Sequence, residues 1–110
     1  MEIEYDEFQK IDIRCGTIID ARNFDRALKP SIQLEIDFGS LGIKKSSAQI
    51  TEQYTPSDLL GKQVIAVMNL PQKQIANFFS ECLVLGVCES NRGVTLIGTS
   101  KIVNNGAIVR

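Results

Sequence analysis

Alternation of apolar and polar positions dominates this chain. Ile32, Leu34, Ile36 and Phe38 fall on one parity, with Gln33, Glu35 and Asp37 on the other. That period of two predicts a strand with one buried face. From Ile11 to Ala21, one parity carries Ile11, Ile13, Cys15, Thr17, Ile19 and Ala21, and the other Asp12, Arg14, Gly16, Ile18 and Asp20. This predicts a longer strand, with Gly16 as the point where it bends or bulges to serve two halves of a small barrel. A charged loop, FDRALKPS, separates these strands. The turn Gly39–Gly42 leads into a third strand expected over Ile43–Ile50, with the polar stretch KKSSAQ inside it. Val64–Met68 is uninterruptedly apolar, as a strand buried on both faces would be.

In TEQYTPSDLLG, Thr55 is a possible cap, Pro56 suits a first helical turn and Gly61 is a stop, so one short helix is expected there. A loop over 69–80 follows, then strands at Cys82–Val87 and Val94–Ile97 around an Asn-Arg-Gly turn. A second turn is expected at Asn105 and Gly106. Three strands, a short helix and further strands give an all-β chain in the order of a five-stranded OB-fold barrel, with the helix between strands 3 and 4. A generic small β-barrel explains the periodicity nearly as well.

Composition narrows the chemistry. The 110 residues and 12.2 kDa suit one domain with a core of its own. Twelve basic against thirteen acidic residues leave a net charge of -1, so a polyanion must be held by a few placed cations and not by bulk charge. The chain has no histidine. That excludes imidazole-based triads, His-ligated zinc and a histidine pH switch. It also lacks a Gly-rich phosphate loop or usefully paired carboxylates, since Glu35 and Asp37 read as solvent-side alternation. A binding module with no cofactor and no metal is expected. Cys15, Cys82 and Cys88 lack metal spacing and read as buried free thiols of a reducing compartment. The acidic start MEIEYDEF does not resemble a signal peptide, and no apolar run approaches the ~20 residues of a membrane span. The expectation is a cytoplasmic protein without membrane insertion.

Several residues carry two readings. Asp12 and Arg14 share a strand face, either as an ion pair or with Arg14 free to meet a phosphate. Lys44, Lys45, Ser46, Ser47 and Gln49 are either a lysine-protected sheet edge or donors for RNA backbone and 2′-hydroxyl groups. Phe78 and Phe79 are adjacent, so one is a candidate for base stacking, for an apolar peptide or for a dimer seam.

Three stretches go beyond pattern: FQKIDIRCGTI from Phe8, GIKKSSAQIT from Gly42 and GKQVIAVMNLPQKQIANFFSECLVLG from Gly61. In order and spacing they resemble the tRNA-binding domain family of OB-fold modules, and within it the short CsaA-type, export-related chaperones. The resemblance implies a homodimer that binds tRNA. The RNA contacts it implies are Arg14, Lys44, Lys45, Ser46, Ser47, Gln49, Asn69, Lys73 and Ser80. The alternative it implies is a chaperone holding unfolded or export-bound polypeptides along Leu70, Ile75, Phe78 and Phe79, which equally describe a dimer seam. Residues 1–7 are then an arm making a dimer contact, and 8–110 the binding domain. Ile3, Tyr5, Ile102, Val103, Ile108 and Val109, which a monomer would expose, point to the same dimer. The chain departs from the family in the loop after Asn69. There Gln72, Gln74 and Asn77 replace a proline, a basic residue and a glycine. Asn77 can adopt a left-handed backbone, so the turn is expected to survive, while Lys73 is left to supply the charge alone.

Overall fold

A computed structural model describes residues 1–110. Its strands are β1 (Ile13–Asn23), β2 (Ile32–Asp37), β3 (Ile43–Ala48) and β4 (Gln63–Val67), followed by the shorter β5 (Lys73–Ile75), β6 (Phe78–Ser80), β7 (Leu83–Val84), β8 (Gly86–Glu89) and β9 (Gly93–Leu96). Helix α1 spans Tyr5–Gln9 and α2 spans Pro56–Leu59. Five strands form one antiparallel sheet in the order β3-β2-β1-β4-β7, while β5-β6 and β8-β9 are separate hairpins. The sheet curls until β3 meets the segment entering β7. Glu81 N–H donates to Lys45 O at 2.8 Å, and Lys45 N–H donates to Glu81 Oε1 at 2.9 Å. This nearly closed five-stranded barrel is the OB-fold expected from the strand order.

The long first strand serves both halves of the barrel. Thr17–Asn23 pair with β2, whereas Ile13–Thr17 pair with β4. The bulge lies at Ile19, not at Gly16: Ile18 faces Ile36, Asp20 faces Glu35, and Ile19 between them has no partner. One extra residue reverses the parity beyond it. Ile18, on the inward parity of Gly16, is core at 1% exposure and Ile19 is 47% exposed, the reverse of the simple alternation, while beyond the bulge it is Ala21 that packs on the core. Gly16 answers a different need. A Cβ there would stand 2.7 Å from Ile36 Cγ2 and 2.7 Å from the Phe38 ring, so only glycine lets those side chains cross the strand. The core gathers Ile18, Ile32, Leu34, Ile36, Phe38, Val64 and Ala66 from the barrel strands, with Leu59 of α2 plugging one end. Helix α2 starts as its residues predict, with Thr55 N–H donating to Asp58 Oδ2 at 2.9 Å. That bond holds the Asp58 carboxyl below the usual carboxylate range.

The amino-terminal arm contains α1, a second helix beyond the one expected. Its signal was Glu4 followed three residues later by Glu7, whose Oε1 accepts Glu4 N–H at 3.1 Å. At the other terminus, the segment after Asn104 runs antiparallel along the edge of β1 that β2 leaves free. Gly106 N–H donates to Cys15 O, Cys15 N–H to Ala107 O and Val109 N–H to Ile13 O, at 2.7, 3.0 and 2.8 Å. Gln63 latches the approach, its Nε2 donating to Val103 O at 2.8 Å and its Oε1 accepting Val103 N–H at 3.0 Å.

The segment 69–80, expected as a loop, is largely the β5-β6 hairpin, with Ala76 and Asn77 at its tip. The left-handed residue is Ala76, at φ +52°, and not Asn77. Ala76 is exposed, so its Cβ gives no packing in return for a conformation costing a non-glycine residue about 1 kcal/mol. Ala76→Gly is expected to raise stability by about 0.5–1 kcal/mol, after the larger entropy of glycine in the unfolded chain is offset. Urea denaturation checks it; a loss of stability would contradict the backbone at this tip.

Candidate functional site

Two loops of the barrel stand either side of one groove. The first joins β1 to β2 and carries Arg26, Leu28, Lys29 and Ser31; the second is the β5-β6 hairpin. The end of β3, the β7 segment and the inner side of the β8-β9 hairpin form the rest of a cavity of about 1080 Å³. The groove thus lies at the mouth that OB-folds use for oligonucleotides, between the loop after strand 1 and the loop after strand 4, beside strand 3. Fourteen of its 25 lining residues are hydrophobic, which gives it an aliphatic floor with polar groups set around it.

The charge on this rim is one-sided. Arg26, Lys29 and Lys73 line the groove, all exposed and none in an ion pair. The lone carboxylate, Glu81, spends Oε1 on the Lys45 amide at the barrel seam. Ser47, Gln49 and Ser80 add neutral donors and acceptors, with Ser80 Oγ accepting Ser47 N–H at 3.2 Å. Of the residues predicted from sequence, Ser47, Gln49, Lys73, Ser80, Leu70 and Ile75 therefore converge on this groove. Arg26 and Lys29 were missed. Their only signal was the charged loop FDRALKPS, and nothing in one dimension joins it to Lys73.

Other predicted residues stand elsewhere. Ser46 is a correction: it points into the barrel, 1% exposed, and its hydroxyl donates to Cys82 O at 2.9 Å. Strand parity pairs Ser46 with buried Leu34, so it cannot share the solvent face of Ser47. Lys44, opposite buried Ile36, lies on that inward parity and is half-buried. The Asn69 side chain is used within the chain, Oδ1 accepting Asp12 N–H at 2.9 Å and Nδ2 donating to Lys10 O at 2.6 Å. Arg14 has its Nε on Asp12 Oδ1 at 2.6 Å and donates through Nη1 to Gly106 O at 3.1 Å, tying the carboxy-terminal segment to β1. Of its two sequence readings, this is the ion pair.

Phe78 and Phe79 also part company. Phe78 packs against buried Phe24, ring centroids 5.4 Å apart, while Phe79 turns to the opposite face of the hairpin at 48% exposure. Neither lines the groove. Phe78 instead borders a smaller depression of about 140 Å³, with Lys45, Gln33, Glu35, Asp20 and Arg22. There the Arg22 guanidinium bonded to Asp20 holds that carboxyl below its usual range. Acids and bases alternate around this depression, so it lacks the one-sided charge of the groove.

Burial withdraws two of the thiols from chemistry, pushing Cys82 up to about 11 and raising Cys15; Cys88, expected to be buried, is instead exposed and lines the groove. No group of three or more His, Cys, Asp or Glu side chains is arranged to hold a metal ion, and no helix is long and apolar enough to cross a membrane.

Comparison with known proteins places this geometry. A family model described as "Putative tRNA binding domain" matches residues 13–107. Methionine–tRNA ligase of Chlorobium chlorochromatii (strain CaD3) is 34% identical over 108 residues, which are 98% of this chain and 15% of the ligase. The chain therefore spans a small part of the ligases it matches. Among solved structures, chaperone CsaA from Bacillus anthracis str. Ames superposes with a TM-score of 0.95 at 44% identity, covering 100% of both chains. The CsaA chaperone protein from Picrophilus torridus gives 0.93 at 45% identity, covering 99% of this chain and 100% of that one. A MetRS-related protein from Pyrococcus horikoshii gives 0.88 at 31%, again covering 100% of both chains.

Proposed function

Since the chain belongs to the tRNA-binding domain family, we propose that it is a non-catalytic module that binds tRNA as a homodimer in the cytoplasm. The observation that carries this is the convergence of Arg26, Lys29 and Lys73 with Ser47, Gln49 and Ser80 on one groove at the OB mouth. Guanidinium and ammonium groups meet phosphates, and hydroxyl and amide groups meet 2′-hydroxyls, so recognition is of RNA shape and backbone. Lys45, exposed on the adjacent face, extends the same track. A gel-shift titration with total tRNA at low salt tests the reading. A retarded complex is expected; none at about 100 µM protein, the weak end of non-specific nucleic-acid binding, overturns it.

The dimer rests on apolar surface at both termini, where Ile3, Tyr5, Ile102 and Ile108 are 57, 64, 85 and 44% exposed. The arm 1–7 and the carboxy-terminal segment are the contact. Light scattering is expected to give twice the 12.2 kDa chain mass; a monomer at micromolar concentration would refute it.

A second reading has its own support: the aliphatic groove floor, together with similarity to proteins described as CsaA chaperones. In that reading the groove holds unfolded or export-bound polypeptides, and the protein suppresses aggregation of a model substrate at stoichiometric ratio. Failure to do so removes it.

A further inference from the structure

The β5-β6 hairpin carries Lys73, yet it shares no ladder with the barrel sheet. Side chains hold its two legs instead. On the first leg, Asn69 accepts Asp12 N–H and donates to Lys10 O, just before β1. On the second, Glu81 meets both main-chain groups of Lys45: its N–H donates to Lys45 O at 2.8 Å, and its Oε1 accepts Lys45 N–H at 2.9 Å. The carboxylate thus stands where the carbonyl of a neighbouring strand would, at the edge where the sheet ends. Lys73 is paired with Ser80 across the hairpin, so this tether sits one residue from the rung that carries the cation.

By charge alone, Glu81 is out of place. It lines the same groove as Arg26, Lys29 and Lys73, and it repels the phosphates that those cations attract. We propose that Glu81 is a positioning residue for RNA: without touching it, the carboxylate ties the hairpin to β3 and so holds Lys73 across the groove from Arg26 and Lys29. This rests on the tRNA reading and adds to it a residue whose charge opposes binding while its geometry supports it.

The two roles carry opposite signs. If Glu81 acted through its charge only, every variant without that charge would hold RNA more tightly. As a tether, it needs an acceptor at the reach of Oε1. Glu81→Gln keeps the acceptor and loses the charge. Glu81→Asp keeps the charge on a side chain one methylene too short, and Glu81→Ala loses both. The bond to Lys45 is exposed, so water takes over that amide in the variants, and the barrel is expected to stay folded.

Filter binding of total tRNA from about 50 to 200 mM salt, with circular dichroism of each variant, tests the inference. Glu81→Gln is expected to bind at least as tightly as wild type. Glu81→Ala and Glu81→Asp are expected to bind about threefold more weakly or worse, with a log–log salt slope shallower by about 0.7, one phosphate contact. Lys73→Ala is expected to weaken the wild type but to have little further effect beside Glu81→Ala, because the contact is already lost. Ala and Asp variants that bind like wild type overturn the inference, as does a Gln variant weakened as much as Ala. A full Lys73→Ala effect in the Glu81→Ala protein overturns it too. Should Glu81→Ala fail to fold, the Asp and Gln variants decide on the same terms. If wild type binds tRNA and the variants break this order, the inference falls and the tRNA reading stands. If wild type does not bind tRNA, both fall.

Discussion

Replacing Phe38 by alanine is expected to remove about 3–5 kcal/mol of stability, the largest loss available from any single side chain in the barrel. Phe38 has 0% exposure, and its ring lies across Gly16 in the space that a Cβ there would occupy. Deleting it leaves a void under the one strand that both halves of the barrel share. Collapse is restricted, because β1 is pinned to β2 beyond Gly16 and to β4 before it. Against a typical total of about 5–15 kcal/mol, such a loss is a large fraction of what holds the fold. Gly16→Ala alone is expected to cost about 1–3 kcal/mol by overpacking against the same ring. Combined, the two changes should be milder than their sum, because the new methyl enters space the ring has left. Urea denaturation of the two single variants and the double variant measures this coupling. A Phe38→Ala loss below about 1 kcal/mol, or strict additivity, would contradict the packing at Gly16.

The second large effect concerns the rim of the groove. Neutralising Arg26, Lys29 and Lys73 together is expected to lower tRNA affinity at least about tenfold at low salt. It should also make the log–log salt slope shallower by about 2, since each single-strand phosphate contact contributes about 0.7. All three side chains are exposed and unpaired, so the fold should not suffer. The comparison is the triple alanine variant at Lys10, Lys62 and Arg92, which removes the same charge from exposed places that neither line the groove nor belong to the terminal segments of the proposed dimer contact. Filter binding from about 50 to 200 mM salt separates the two variants. If both lose affinity equally, the groove holds no special place in binding and net charge alone decides it.

How far the fold could be read from sequence varied with the physics involved. The alternation of Ile32–Phe38 predicted β2 because both its faces are decided by burial, and Val64–Met68 predicted β4 because it is covered on both sides. The bulge at Ile19 was not legible: an extra residue leaves no mark in the sequence, and its effect appears only once Ile18 is seen facing Ile36. Ala76 hid its left-handed backbone behind an ordinary residue, and the glycine-like Asn77 beside it drew the prediction instead. The candidate site divided in a similar way. Residue types were chosen for RNA-compatible chemistry, yet Ser46 and Asn69 spend that chemistry inside the chain. Which member of an adjacent pair faces solvent depends on register, and which loops meet depends on barrel closure. Arg26, Lys29 and Ser31 join Lys73 only through that closure.

The carboxy-terminal segment along β1 has a consequence in time. Arg14 and the carbonyl of Gly106 that it grips are separated by 92 residues. At a synthesis rate of about 5–20 residues per second, the first half of β1 is made about 5–20 s before the segment that covers its edge. Once β4 has paired with it, this half of β1 has unpaired main-chain groups at Ile13 and Cys15 for the rest of that interval, open to any passing strand. Every newly made copy is therefore open to the wrong partner at its first strand until the ribosome has delivered residue 109.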